Sequence, residues 1–175
     1  MTANYPRNCW YAAATVDEVT SAPLGRRFLG DDVLLWRGQS GRLSAFENRC
    51  AHRAFPLTHS IIDGEQLVCG YHGCTYDHDG TCAHIPSQDR VPTGMKVQAF
   101  PVIEEPPYIW IWMGSPGAAA ISRPPTVPWV GEPGWETFQT AWDVAANFMM
   151  VHEHYLDFSY APVLHGADIP ASIRS

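Results

Sequence analysis

Two short segments each carry a thiol and an imidazole: Cys50-Ala-His52 and Cys69-Gly-Tyr-His72. Thiolate and neutral imidazole are side chains that bind transition metals firmly. A structural zinc ion also takes two cysteines and two histidines, but its usual spacing pairs like with like. Here both pairs are mixed, and one has a single residue between its donors. Mixed pairs suit two adjacent metals, because each loop can give its cysteine to one and its histidine to the other. A [2Fe–2S] cluster with two cysteines on one iron and two histidines on the other needs that set. The spacing favours this cluster over zinc, and zinc over four unrelated core residues. Metal-bound imidazoles are neutral at the ligating nitrogen, which links redox state to protonation of the other nitrogen. Gly70 and Gly73 flank the second pair. Glycine there lets backbone N–H groups approach the cluster, although Gly70 reads equally well as an ordinary turn glycine.

These tips need a rigid frame, and the surrounding pattern is that of short strands. Val33–Trp36, the turn Gly38-Gln-Ser-Gly41 and Arg42–Phe46 form a hairpin signal. Further apolar runs lie at Gln66–Cys69, Lys96–Ile103 and Tyr108–Met113. In the last, Tyr108, Trp110 and Trp112 alternate with Ile109, Ile111 and Met113, so both faces are expected to be covered. Thr15-Val-Asp-Glu18 has the spacing of a capping box and starts a short helix. A small antiparallel β-domain over residues 1–115 follows. Residues 116–134 are rich in Pro and Gly and read as a linker. After it, Trp135–Trp142 reads as a strand, and Asp143 as the cap of a helix from about Val144 to Asp157.

The 175 residues carry a net charge of −7 and no basic run, which argues against a nucleic-acid partner. No apolar stretch approaches a membrane span, and residues 1–15 lack the pattern of a signal peptide. A cytoplasmic location without membrane contact is expected. The 5 cysteines form an odd set, which suits reduced thiols better than a disulfide framework. Cys9, Cys74 and Cys82 read as free thiols in the core, with Cys74 close enough in sequence to donate weakly toward the cluster.

Several stretches resemble the oxygenase components of Rieske non-heme iron oxygenases, in the branch of the vanillate and dicamba demethylases and phthalate-dioxygenase-like proteins. They are Asn8–Ala13, Pro23–Arg26, Cys50–Arg53, Pro56-Leu57, Cys69–Gly73 with Tyr76-Asp77, Ile85–Gln88 and Ile109–Trp112. Gly70 and Cys74 stand where Pro and Trp are common in that family. Phe55 and Tyr71 stand where respiratory-type members carry a disulfide. The resemblance implies that a helix-grip domain of α+β type begins at residues 135–175. In that domain one catalytic iron is held by two histidines and a carboxylate. The family motif, Asn followed by Asp-x-x-His-x4-His, falls on Asn147 and Asp157–His165. His165 fits the second histidine ligand. Tyr160 stands in place of the first, and a phenol is a poor ligand for Fe(II). His152 and His154 lie nearby, about 200° apart on a helix. Asp157 matches the family's electron relay toward the catalytic iron of a neighbouring subunit.

The expected protein is therefore mainly β, a Rieske-type domain followed by the first strand and helix of a catalytic domain. Its reaction would pass electrons from a reductase or ferredoxin, through the cluster, to a mononuclear Fe(II). There O2 would be used to hydroxylate or O-demethylate an aromatic compound. The family resemblance implies a homotrimer and a carboxylate ligand from beyond Ser175, so the chain is expected to be cut off within its catalytic half. The alternative is a stand-alone ferredoxin-like carrier without catalytic iron.

Overall fold

The structure, a computed structural model, describes residues 5–168. The ends of the expected segments, 1–4 and 169–175, lie outside the described residues. The chain divides into two compact units after Glu136.

Three antiparallel sheets build the first unit. One joins β1 (Cys9–Thr15), β11 (Tyr108–Met113) and β10 (Val102–Glu105) in the order β1-β11-β10. The second has the order β2-β3-β4-β9, from β2 (Leu24–Phe28), β3 (Asp31–Arg37), β4 (Leu43–Glu47) and β9 (Ala99–Phe100). The third, β5-β6-β7-β8, comprises β5 (Ile61–Asp63), β6 (Gln66–Val68), β7 (Thr75–Tyr76) and β8 (Cys82–His84).

Strand β3 explains the continuous apolar run Val33-Leu-Leu-Trp36. Successive side chains leave a strand on opposite faces. Val33 and Leu35 enter one core, with Ile109, Ile111 and Met113 of β11. Leu34 and Trp36 enter another, with Phe46, Leu67, Cys50, Cys69 and Tyr76. All four are fully buried, so a single strand serves two cores. Strand β11 follows its alternation. Ile109, Ile111 and Met113 are buried outright, Trp112 is nearly so, and Tyr108 and Trp110 are half-buried.

Other expectations are refined. The Thr15 capping box is present but opens only a 3-10 turn, Val16–Glu18. The run Lys96–Ile103 is split, because Pro101 between β9 and β10 has no N–H for a ladder. Trp135–Trp142, which runs across the boundary between the units, forms no strand. It pairs with no strand among the described residues, and Phe138 and Trp142 are exposed. The first helix of the second unit is α2 (Phe148–Leu156), following the short α1 (Pro116–Ala119) of the first unit. Its cap is Asn147, whose side chain accepts from the Met149 N–H, not Asp143. A second short helix, α3 (Ala161–Leu164), follows. No described helix is long and apolar enough to cross a membrane.

The two hairpin tips share one backbone plan. In the first, Cys50 N–H donates to Phe55 O (2.9 Å) and Ala54 N–H to Cys50 O (2.8 Å). In the second, Cys69 N–H donates to Cys74 O (2.9 Å) and Gly73 N–H to Cys69 O (3.0 Å). The fifth residue of each six-residue loop is left-handed: Ala54 at φ 53° and Gly73 at φ 70°. Gly70 is fixed by packing, since a Cβ there would fall on the His59 carbonyl oxygen.

A polar clasp ties the second sheet to the third. Ser40, in the β3–β4 turn, donates through N–H (2.6 Å) and Oγ (2.7 Å) to the carboxylate of Glu65, in the β5–β6 turn. Glu65 also accepts from His78 Nε2 (3.0 Å), because a carboxylate can only accept. His78 Nδ1 lies 2.7 Å from Ser44 Oγ, and its ring stacks on Trp36 at 4.4 Å.

Two predictions follow from this frame. The Glu65 carboxyl is held at about 2, below its usual 4.5, chiefly by the Ser40 hydrogen bonds and then by His78. A lowered folded value contributes stability above pH 4.5 that is lost as the pH falls toward 2. The urea midpoint, followed by tryptophan fluorescence, should therefore fall across that window, and Glu65→Gln should flatten this part of the profile. Ala54→Gly removes the cost of a Cβ in the left-handed region, offset by greater freedom when unfolded. It should stabilise the chain by about 0.5–1 kcal/mol in the same titration, whereas Gly73→Ala should destabilise it.

Candidate metal centre

The two loops sort their donors by type. Cys50 and Cys69 turn inward and are 4% and 3% exposed, whereas His52 and His72 stay at the surface. The two thiols are buried in the same apolar cluster. The two imidazoles meet edge to face, with ring centroids 4.7 Å apart. Sulfur thus lies with sulfur in the core, and ring with ring outside it. Four donors around one zinc ion would not need that division, and a cluster with sulfur on one iron and imidazole on the other does.

The backbone prepares the sulfurs for negative charge. Burial opposes ionisation of Cys50. Hydrogen bonds from Tyr76, from the His52 and Arg53 N–H groups and from Cys69 outweigh that, so its thiol lies below the usual value. Cys69 is pushed up by burial and by its partner Cys50, against donation from the Tyr71 and His72 N–H groups. Each sulfur is thus met by the N–H groups two and three residues after its own cysteine. Gly73 is not among these donors, because its N–H is spent on the Cys69 carbonyl. Partial loss of water from the ring, then the charges of His52 and Arg53, lower His72 and favour the neutral ring that a metal requires.

The spacing of the motif does not reveal Tyr76. This residue is fully buried, with its hydroxyl 3.1 Å from Cys50 Sγ. The oxygen already accepts from the Ala51 N–H (3.2 Å), so its own hydrogen is free to point at the sulfur. Burial and the Cys50 contact raise its pKa, keeping it a donor. The available sequence signal was its place, with Asp77, in a family-resembling stretch just after the second loop.

Cys74 and Cys82 are buried thiols, as expected, and Cys9 is half-buried. Burial first, then nearby thiols, push Cys74 up to about 11. At the surface, Phe55 and Tyr71 pack against each other at 5.4 Å, and Tyr71 against His72 at 3.7 Å.

In the second unit, Tyr160 hydroxyl is 2.9 Å from His154 Nε2, and its ring centroid is 6.0 Å from that of His165. His152 instead packs on Phe148. Of the two histidines on α2, His154 is therefore the one drawn to this group. Asp157 caps the end of α2 and accepts from the Ser159 N–H (2.9 Å). Among the described residues, no three His, Cys, Asp or Glu side chains gather as for a single metal ion.

Comparison with known proteins agrees with the cluster reading. The family model described as the Rieske [2Fe–2S] domain matches residues 9–101. A putative toluene-4-sulfonate monooxygenase system iron–sulfur subunit from Comamonas testosteroni is 34% identical over 96% of this chain and 50% of its own length. The oxygenase component of dicamba O-demethylase from Stenotrophomonas maltophilia is 33% identical over 94% of this chain and 49% of its own. A crystal structure of dicamba monooxygenase bound to dicamba superposes with a TM-score of 0.87, at 33% identity, over 94% of this chain and 50% of that one. The chain spans about half the length of the curated relatives it matches. Since the matched stretch is more than half of the sequence and contains both hairpin tips, the chain belongs to the Rieske [2Fe–2S] domain family.

Proposed function

We propose that Cys50, His52, Cys69 and His72 hold the [2Fe–2S] cluster, and that the chain is the electron-transfer part of an oxygenase component. The observation that carries this reading is the sorting of the donors, thiols paired in the core and imidazoles paired at the surface. When bound, a [2Fe–2S] cluster supplies one-electron transfer. The residues around it do the rest. The buried thiols anchor it out of reach of water, and Tyr76 and the loop N–H groups stabilise charge on the sulfurs. The exposed His52 and His72 form the edge that an electron partner can reach.

On this reading residues 1–115 are the Rieske domain, 116–134 the linker and 135–175 the opening of a catalytic domain. The similarity to monooxygenase and demethylase components supports a flow of electrons from a reductase or ferredoxin. The destination is a mononuclear iron, used with O2 to hydroxylate or O-demethylate an aromatic compound within a homotrimer. Asp157 then serves as the relay, and His165 as an iron ligand with His154 and Tyr160 beside it. The bond between Tyr160 and His154 favours a second reading, a ferredoxin-like carrier, because it engages the side chain at the first ligand position.

Anaerobic reconstitution with iron and sulfide tests both. The expected product carries two irons and two sulfides per chain with a low-temperature EPR signal of mixed Cys/His ligation. A further iron favours the oxygenase reading, and its lasting absence favours the carrier. His72→Ala should abolish the signal and bring iron content to background. An unchanged spectrum in that variant, or a colourless protein holding zinc, would overturn the ligand assignment.

A further inference from the structure

Two arginines bracket the first loop, Arg49 immediately before Cys50 and Arg53 immediately after His52. The backbone tightens there, with Arg49 N–H donating to Glu47 O (2.7 Å) and Cys50 N–H to Phe55 O (2.9 Å). Cys50 turns into the core, and Arg49, His52 and Arg53 are left exposed. Lys96 joins them from a distant stretch, held by its bridge to Thr81 and by the Val97 N–H bond to Gly80 O (2.9 Å). These residues line a groove of about 380 Å³, with Glu47 as the carboxylate among the described lining residues. Arginines elsewhere find carboxylates, as Arg26 does in Glu18 (2.7 Å) and Arg37 in Glu104 (2.7 Å). Among the described residues, no carboxylate lies within ion-pair distance of Arg49 or Arg53. Lys96 stands 3.8 Å from Asp79 with both side chains exposed, a contact that water weakens.

We propose that this groove is the docking surface for an acidic electron-donating protein, which lays carboxylates against Arg49, Arg53 and Lys96. The inference deepens the proposed function and rests on it. One electron leaves the donor, which is oxidised, and enters the cluster, which is reduced. The chain carries a net charge of −7, so as a whole it repels an acidic partner. Guanidinium groups with no carboxylate of their own turn that repulsion into attraction at one place, and the place adjoins a ligand ring. His52 lines the groove and meets His72 edge to face at 4.7 Å, so a partner seated there stands against the exposed edge of the site. Three cations around one carboxylate make a short patch, not the track that a nucleic-acid backbone needs. A small anion would need a closed cradle of donors, and these cations are exposed. Charges at such a surface govern where and how fast a partner docks.

The test uses the full chain reconstituted with its cluster. The probe is a plant-type [2Fe–2S] ferredoxin of acidic surface, whose potential lies below the range of Rieske clusters. Calorimetry measures binding of the oxidised ferredoxin, and stopped-flow absorbance measures electron transfer from the reduced one. Affinity and rate should both fall as salt rises. Arg49→Gln should lower each by about threefold to tenfold at low salt, Lys96→Gln should act alike, and the two together should exceed either. Arg42→Gln, at an exposed arginine outside the groove, should leave both nearly unchanged. Reduction by the methyl viologen radical, a cation, should instead quicken in Arg49→Gln. Where Arg49→Gln slows both reductants, the change lies in the cluster, and Lys96→Gln decides. Equal effects of the groove variants and Arg42→Gln overturn the proposal. So does a ferredoxin that fails to bind, or binding indifferent to salt. Self-association of the chain that Arg49→Gln abolishes gives the groove to a second copy and overturns it too. A parent chain without the EPR signal of mixed ligation overturns the ligand assignment, and this inference with it. A parent with that signal and no effect at the groove overturns this inference alone.

Discussion

Two sulfur atoms must meet inside an apolar core while two imidazoles, two and three residues away in the chain, remain in water. That demand governs the fold around the site. A loop that turns its cysteine inward and its histidine outward within so few residues needs a tight, closed backbone. Each tip supplies one, with the cysteine's N–H and C=O each hydrogen-bonded across six residues and a left-handed residue in fifth place. The geometry costs something in the first loop, where the left-handed residue is Ala54. A non-glycine there is held by the surrounding bonds and not by its own preference.

Such loops would be of little use on a mobile frame, and β3 makes the frame stiff. Its alternate side chains belong to two different cores, so neither can loosen without the other. Polar contacts then join the cluster sheet to the rest of the unit, through Ser40, Glu65, His78 and Ser44. His78 is nearly buried and stacked on Trp36, which places this clasp directly over the core that holds the thiols.

Much of this was legible in the residues, and the reasons differ by element. The mixed Cys/His pairs announced two loops because their donor types admit few alternatives. The β3–β4 hairpin and the alternation of β11 were legible because they follow from local periodicity. What was hidden depends on the third dimension. Trp135–Trp142 has the composition of a strand, but a strand exists only with a partner to pair with. Asp143 and Asn147 are both good caps, and only the start of α2 shows that Asn147 serves. Glycine near the second tip suggested donors to the cluster, whereas the N–H groups that reach sulfur belong to His52, Arg53, Tyr71 and His72. The left-handed Ala54 carries no sequence signal, because alanine rarely adopts that conformation.

The two loops match in backbone, yet their sulfurs do not match in donors. Each sulfur receives two N–H donors from its own loop, but only Cys50 also has a hydroxyl beside it. The difference cannot arise from the loops, since their hydrogen-bond plan is shared. It arises from the chain that follows the second loop, where Tyr76 directs a hydroxyl at Cys50, alone of the two sulfurs among the hydrogen bonds described. Folding the second loop back into β7 thus does more than close a hairpin. It brings the donor chemistry of one loop's exit to the sulfur of the other, so the electronic asymmetry of the site is set by strand order rather than by either motif alone.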